Sequence, residues 1–234
     1  MDLKEEDILG ADIDRHWYYR SKAAALRRAV GRLQPRRILD VGAGSGFFSR
    51  HLLAETNAQS ALCVDIGYLI DRDDAVAGKP VRYRRDVGAT DCDLVLMMDV
   101  LEHVDDDRGL VRHYATKVPA GAHFLVTVPA FRILWSGHDV FLEHKRRYRL
   151  GEIEGAMRDA GLAIVKGAYY FGLVFPLAAA VRLAARGETQ PKSGLKKHGA
   201  VTNALLTAIC AAELPLFPAN RLAGLSAFVL AKKP

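Results

Sequence analysis

The sequence predicts an α/β fold: an open, mostly parallel sheet with helices on both faces. Three observations carry this. Seven short apolar segments bounded by turn residues read as strands. Helix-patterned stretches lie between them. Several of the strands are near-continuous apolar runs, as expected of parallel strands covered on both faces. The alternation implies right-handed crossovers. The 234 residues suffice for a real core, and 1–234 reads as one domain.

The elements follow in order. Residues 1–34 form an N-terminal helical cap that opens on the acidic MDLKEED. Within it Ser21–Leu33 is a helix, with Leu26, Ala29, Val30 and Leu33 on one buried face. RRILDVG (36–42) is the first strand and Gly46–Glu55 the next helix. ALCVDIG (61–67), VRYRRDV (81–87) and CDLVLMMDV (92–100) are three further strands. The helix Asp105–Lys117 begins with Asp105, Asp106 and Asp107, favourable at the positive end of its dipole. AHFLVTVPA (122–130), the helix Gly151–Ala160, LAIVKGAYY (162–170) and LSAFVLAKK (225–233) complete the series. Residues 171–224 break the alternation. There FGLVFPLAAAVRLAARG and AVTNALLTAICAAELPLFP read as two apolar helices joined by ETQPKSGLKKHG. Neither reaches the roughly 20 apolar residues that span a bilayer. Pro176 and Arg182 interrupt the first, Asn203 and Glu213 the second. This insertion is extra core, a dimer contact, or a cap over a pocket.

Composition narrows the setting. No basic segment followed by an apolar one opens the chain, which points to the cytoplasm. Cys63, Cys92 and Cys210 are scattered, which fits a reducing compartment and argues against a structural zinc site. The net charge is +6, concentrated in Arg82–Arg85, His144–Arg149 and LKKH at 195–198. Such clusters are solvated surface, or they meet an anionic membrane surface or a phosphorylated substrate.

The first strand ends in LDVGAGSGFF. Gly42, Gly44 and Gly46 begin two residues after Asp40 and open a helix, so the backbone can turn tightly and approach a ligand. Asp65 ends the second strand, where a carboxylate can accept from both hydroxyls of a ribose. A dinucleotide would want glycine where Phe47 stands, and no carboxylate at position 40. A ligand with a cationic amino-acid end and a ribose suits both acids. S-adenosylmethionine (SAM) is such a ligand.

LDVGAGSG, CVDIG, RDV, DLVLMMDVLEHVDD and FLVTVPA together resemble the class I SAM-dependent methyltransferases, from about Arg36 to Gly161. HWYYRSKAAAL, VPAFRILWSGHDVFLEHKRRY and AGL are similar to a subgroup, type 11/12-like, found in lipid, polyprenyl and glycan pathways. The resemblance implies a Rossmann-like sheet of seven strands whose last strand is antiparallel. It implies SAM as cofactor and S-adenosylhomocysteine as product. By this likeness Asp40, Gly42, Gly44 and Gly46 hold the methionine part. Asp65 takes the ribose, Ile66 packs on the adenine, and Asp86 and Val87 read its edge. Met98 and Val100 lie beneath the sulfonium, and Arg20 pairs with the carboxylate. His103, at the end of the fourth strand, is a base, a SAM contact or a helix cap.

Ser136–Arg149, SGHDVFLEHKRRYR, then faces the transferred methyl and its acceptor. His138, Asp139, Glu143 and His144 are possible metal ligands, but His138 and His144 are six apart, with no HExxH and no nearby cysteine, so no metal is expected. Methyl transfer to a hydroxyl needs alignment and a proton acceptor. His138 or His144, oriented by Asp139, is the expected base. Trp135, Arg146, Arg147, Tyr148, Phe171 and Phe175 are the expected acceptor contacts, with Lys145 and Arg149 as further cations for an anionic head. The acceptor is then a small or lipid-like molecule, and O-methylation is favoured. Phe171, Phe175, Leu205 and Ile209 would line an apolar channel, with Lys192, Lys196 and Lys197 toward a membrane surface. The chain is a monomer or a homodimer. No Asn-Pro-Pro-Tyr-type motif or separate basic domain points to nucleic acid. The rival functions are an NAD(P)-dependent oxidoreductase and a non-catalytic SAM-binding module.

Overall fold

The computed structural model describes residues 10–184, 193 and 198–234. The acidic start of the chain and Lys192, Lys196 and Lys197 lie outside the described residues. Among the described residues eight strands form one sheet: β1 (Arg37–Val41), β2 (Ser60–Val64), β3 (Arg72–Val76), β4 (Lys79–Arg84), β5 (Leu94–Met98), β6 (His123–Pro129), β7 (Ala163–Tyr170) and β8 (Ser226–Lys232). Their spatial order is β3-β4-β2-β1-β5-β6-β8-β7. Neighbours from β4 through β6 run parallel, and β8 runs antiparallel to both β6 and β7. All seven expected strands are present. The pure apolar runs predict well because β1, β5 and β6 are buried on both faces.

The eighth strand corrects the expected count of seven. β3 pairs antiparallel with β4 at the sheet edge. A two-residue turn joins them, with Ala77 at φ 51° and Gly78 at φ 74°, the left-handed pair that a tight hairpin requires. β3 reads Arg-Asp-Asp-Ala-Val and is mostly exposed, so it carries no apolar signal. Charge pairs hold it instead: Arg84–Asp73 at 2.7 Å and Arg50–Asp74 at 2.6 Å.

Among the described residues seven α-helices accompany the sheet: α1 (Trp17–Val30), α2 (Phe47–Glu55), α3 (Asp107–Lys117), α4 (Gly137–Phe141), α5 (Leu150–Asp159), α6 (Phe175–Ala184) and α7 (Ala200–Glu213). α1, α2 and α7 cover one face, where Leu26, Leu52, Tyr170, Cys210 and Phe228 share a core. α3 and α5 cover the other with Val111, Ile153 and Met157. The two insertion helices therefore part company. α7 is extra core packed against α1, whereas α6 has no buried residue. No helix among the described residues is long and apolar enough to cross a membrane.

Candidate active site

β2 lies on one side of β1 and β5 on the other, so the chain reverses its direction of travel across the sheet at β1. The carboxyl ends of β1, β2, β5 and β6 open at this switch point, where ligands bind in open α/β sheets. The glycine turn sits there. Gly42, Gly44 and Gly46 all have positive φ, at 64°, 54° and 75°. A Cβ on Gly42 would lie 2.7 Å from Val100 Cγ2, and one on Gly46 3.0 Å from the Tyr83 hydroxyl. With positive φ and these close approaches, both places favour glycine. The turn is tied to the end of β2: Gly44 N–H donates to Asp65 Oδ2 at 3.0 Å, and Gly67 N–H to Oδ1 at 2.8 Å. The Tyr68 hydroxyl donates to Gly44 O at 2.6 Å. Each Asp65 oxygen keeps a second lone pair for a ligand hydroxyl. Ile66 next to it is 87% exposed, an apolar surface with no protein over it. Asp40 is buried beneath the turn, and burial pushes its carboxyl up to about 6, against the pull of hydrogen bonds from Ser49.

At the end of β5 the chain bends through Asp99, with φ 56°. Thr127 Oγ1 donates to Asp99 at 3.1 Å, and the buried Lys22 of α1 pairs with the same carboxylate. Burial opposes the Lys22 charge, but Asp99 overrules it and raises the ammonium above its ordinary value. The Tyr18 hydroxyl adds a contact at 3.2 Å. Glu102 follows on a short 3-10 turn, Leu101–His103. It is fully buried, and neither carboxylate oxygen has a hydrogen-bond partner among the described residues. Burial and the nearby Asp99 charge raise its carboxyl well above the usual range.

The stretch SGHDVFLEHKRRYR is folded back onto this turn. Ser136 caps α4, and its N–H donates to Asp139 Oδ2 at 2.9 Å. Asp139 is fully buried and carries the stretch. Arg147 clamps it with two bonds, Nε–H at 2.7 Å and Nη2–H at 3.1 Å, while His144 Nδ1 lies 3.0 Å from Oδ1. Burial alone would raise the Asp139 carboxyl; His144 and Arg147 hold it below the usual range. Lys145 N–H donates to Glu102 O at 2.7 Å, which ties the two loops together. The His103 and His144 rings meet edge to face at 4.8 Å, and His138 lies 6.5 Å from His144. Burial and the Arg182 charge push His138 down to about 4, so it is a neutral imidazole at pH 7.

Several expected residues take other roles. Arg147 is no acceptor clamp: it is buried, bound to Asp139 and to Ala130 O at 3.0 Å. Tyr148 is buried as well, its hydroxyl donating to Leu101 O at 3.1 Å and to Asp107 Oδ2 at 2.8 Å. Arg146 donates to the carbonyls of Val104 and Asp105, both at 3.0 Å. Lys145 pairs with Asp105. These cations fasten one loop to the other. Phe171 is fully buried and stacks on Tyr18 at 5.1 Å, so it belongs to the core rather than to an acceptor channel. Asp86 is turned outward onto Lys117 at 3.1 Å, and Val87 is half-buried. Arg20 lies on the exposed side of α1. Two helical residues make about 200° of turn, so Lys22, not Arg20, is the α1 cation at the strand ends. Trp135 and Phe175 remain half-buried near the site. Phe175 meets Phe131 at 5.5 Å, and Met98 lies buried under β5's end.

Lys22 and Glu102 are the residues that sequence reasoning missed. Lys22 is four residues before Leu26, so it extends the buried stripe of α1 backwards. Glu102 is an acid inside the apolar run VLEHV directly after a doubly buried strand.

Residues 15–166 match the family model described as a methyltransferase domain. The chain belongs to this methyltransferase domain family. The matched span holds the glycine turn, Asp65, the 3-10 turn and the whole of Ser136–Arg149, and it ends within β7. No curated protein matches the sequence. Among solved structures, a SAM-dependent methyltransferase from Archaeoglobus fulgidus is similar at 17% identity, covering 99% of this chain and 98% of that one, with a TM-score of 0.55. A chain from a Haloferax volcanii complex containing the Trm112 methyltransferase activator is 18% identical over 99% of this chain and 92% of its own, with a TM-score of 0.58. Phosphoethanolamine N-methyltransferase 2 of Haemonchus contortus, in complex with SAM, is 18% identical over 90% of this chain and 52% of its own, with a TM-score of 0.53. At these identities the likeness shows that the methyltransferase domain has a Rossmann-like fold.

Proposed function

We propose that this methyltransferase domain binds SAM and transfers its methyl group to a hydroxyl of a small or lipid-like acceptor. The observation that carries the reading is the glycine turn, closed to any Cβ and hydrogen-bonded to Asp65, between a buried carboxylate and an exposed Ile66. These residues fit SAM: Asp40 faces its ammonium end, Asp65 its ribose and Ile66 its adenine. They do not suit a dinucleotide, whose pyrophosphate Asp40 would repel. SAM supplies a methyl carbon on a sulfonium, so an oxygen nucleophile gains the carbon while the broken C–S pair stays on sulfur as S-adenosylhomocysteine.

The protein's own work is to align the acceptor, exclude water and receive the hydroxyl proton. His144 suits the last task, because Asp139 fixes its ring through Nδ1 and leaves Nε2 for the acceptor. His138 and His103 are the neighbouring imidazoles. Trp135 and Phe175 offer the acceptor apolar surface. The exposed apolar residues of α6, Leu177 and Val181, support a lipid-like acceptor met at the inner face of a membrane.

Calorimetric titration with SAM, S-adenosylhomocysteine and NADH tests the cofactor. Micromolar binding of the two sulfur ligands, weakened at least about tenfold in Asp65→Ala, is expected. Binding of NADH alone would overturn the reading. His144→Ala should lose turnover on phenolic or polyprenyl acceptors while keeping its SAM affinity.

A further inference from the structure

Glu102, His103 and His144 each offer a ligand atom, and these atoms all lie within 4.8 Å of one another. Glu102 is fully buried, and both its carboxylate oxygens lack a partner among the described residues. An unsatisfied buried carboxylate is expensive unless something arrives to meet it. We propose that Glu102, His103 and His144 form a site for a divalent transition-metal ion of the zinc class, at the carboxyl edge of β5.

Four observations support the site beyond the cluster itself. His144 Nδ1 is engaged by Asp139 at 3.0 Å, so Nε2 is the atom left for a metal. This is the carboxylate–histidine–metal arrangement that fixes the tautomer and raises ligand basicity. Arg147 holds Asp139 in turn, through a bond of 2.7 Å from Nε–H. The two ligand-bearing loops are already joined by Lys145 N–H on Glu102 O at 2.7 Å. Lys22 lies nearby, but its charge is balanced by Asp99.

Donors around an ion with bonds of about 2.0–2.2 Å stand roughly 3–3.6 Å apart, so rotation of the three side chains by an ångström or so closes the site. Two imidazoles and one carboxylate favour Zn(II), Mn(II) or Fe(II) over Mg(II), which prefers an all-oxygen shell. Three protein ligands leave positions open for an exogenous oxygen. On the methyltransferase reading, and only there, an acceptor hydroxyl would occupy that position. The ion would lower the pKa of the hydroxyl; with the ion bound, His144 Nε2 serves as a ligand in place of its role as base, and the hydroxyl proton passes to solvent.

Binding is testable without SAM or acceptor. Tag-free protein is stripped with chelator, dialysed, and titrated calorimetrically with Zn(II), Mn(II) and Mg(II) at neutral pH. One saturable Zn(II) site is expected, with Mg(II) at least about 100-fold weaker. His103→Ala and His144→Ala should each lose about 100-fold in Zn(II) affinity, and Asp139→Asn about 10–100-fold. Glu102→Gln should lose affinity while raising the melting temperature of the metal-free protein. His113→Ala, on the exposed side of α3, should bind as wild type. Co(II) titration of the wild type alone gives a second readout, d–d absorption bands that Zn(II) abolishes, and it needs no variant to fold. Absence of a saturable site, or wild-type Zn(II) affinity in both Glu102→Gln and His144→Ala, would overturn the proposal. Because apo protein is used, loss of SAM binding in a separate titration would bear on the cofactor reading and not on this one.

Discussion

Asp40 is buried under the glycine turn, and its carboxyl is pushed up to about 6. The protonated form therefore predominates below about pH 6 in the empty site. Raising a carboxyl pKa on folding gives stability that is fully present below its ordinary value near 4 and is lost as pH rises through about 6. A cationic ligand reverses this preference, because it needs the carboxylate. SAM affinity should rise about tenfold between pH 5 and 7, as the ionised fraction climbs. Asp40→Asn should flatten that profile and bind weakly throughout; an unchanged profile in calorimetry would refute the assignment. Lys22 makes a second test at this scale. It is fully buried beside Asp99 and near the unpartnered Glu102. Lys22→Met should cost about 1–3 kcal/mol in urea denaturation, because it leaves the half-buried Asp99 carboxylate without its counter-charge. Adding Asp99→Asn should restore most of the loss.

Helices α1 and α7, packed together, are also joined by a side-chain cap. The start of α1 has no cap of its own. Asn203 of α7 supplies one from 186 residues away, accepting from Trp17 N–H at 2.8 Å and donating to Arg15 O at 2.9 Å. Glu213, at the other end of α7, accepts from Gly172 N–H at 2.7 Å and Leu173 N–H at 3.1 Å, before α6 begins. The two polar residues that interrupt this apolar stretch in sequence are therefore tertiary caps. Asn203→Ala should cost about 1–2 kcal/mol, in the range of other lost caps, without changing the denaturant slope. Amide exchange at Trp17 and Tyr18 should quicken. Exchange and stability like those of the wild type would show that the cap is dispensable.

For the whole molecule, the contrast between α6 and α7 decides how it meets other things. Cys210 and Glu213 of α7 are buried while its Val201 and Leu205 are exposed, and Leu173 just before α6 with Leu177 and Val181 on it stand 59%, 70% and 61% exposed. With a net charge of +6, such a face suits an anionic, partly apolar surface. Wild-type protein should pellet with phosphatidylglycerol vesicles and far less with neutral ones. Leu177→Gln with Val181→Gln should reduce pelleting several-fold and leave SAM binding intact. Equal pelleting, or a dimer that the double variant dissolves in sedimentation, would assign the face to a second copy instead.

The sequence by itself determined the α/β class, the seven main strands, the glycine turn and the acid after it. Each of these is local: apolar runs of strand length, and a Gly-x-Gly-x-Gly bend in the left-handed region that glycine adopts at least cost. The hairpin strand β3 escaped, because charge pairs with Arg84 and Arg50 hold it rather than an apolar face. In the stretch Ser136–Arg149 the residue types were legible but their duties were not. Seven residues with ionisable side chains look alike in a row; only the fold shows Arg147 turned inward on Asp139, Arg146 and Lys145 spent on the facing loop, and His144 directed at Glu102 and His103. Lys22 paired with Asp99 is 77 residues distant in sequence, and Phe171 became core only when α1 laid Tyr18 across it. The physical reason is the same in each case. Backbone geometry and apolar periodicity are properties of neighbours along the chain. The partner that a buried charge or ring acquires is set by which elements the sheet brings together.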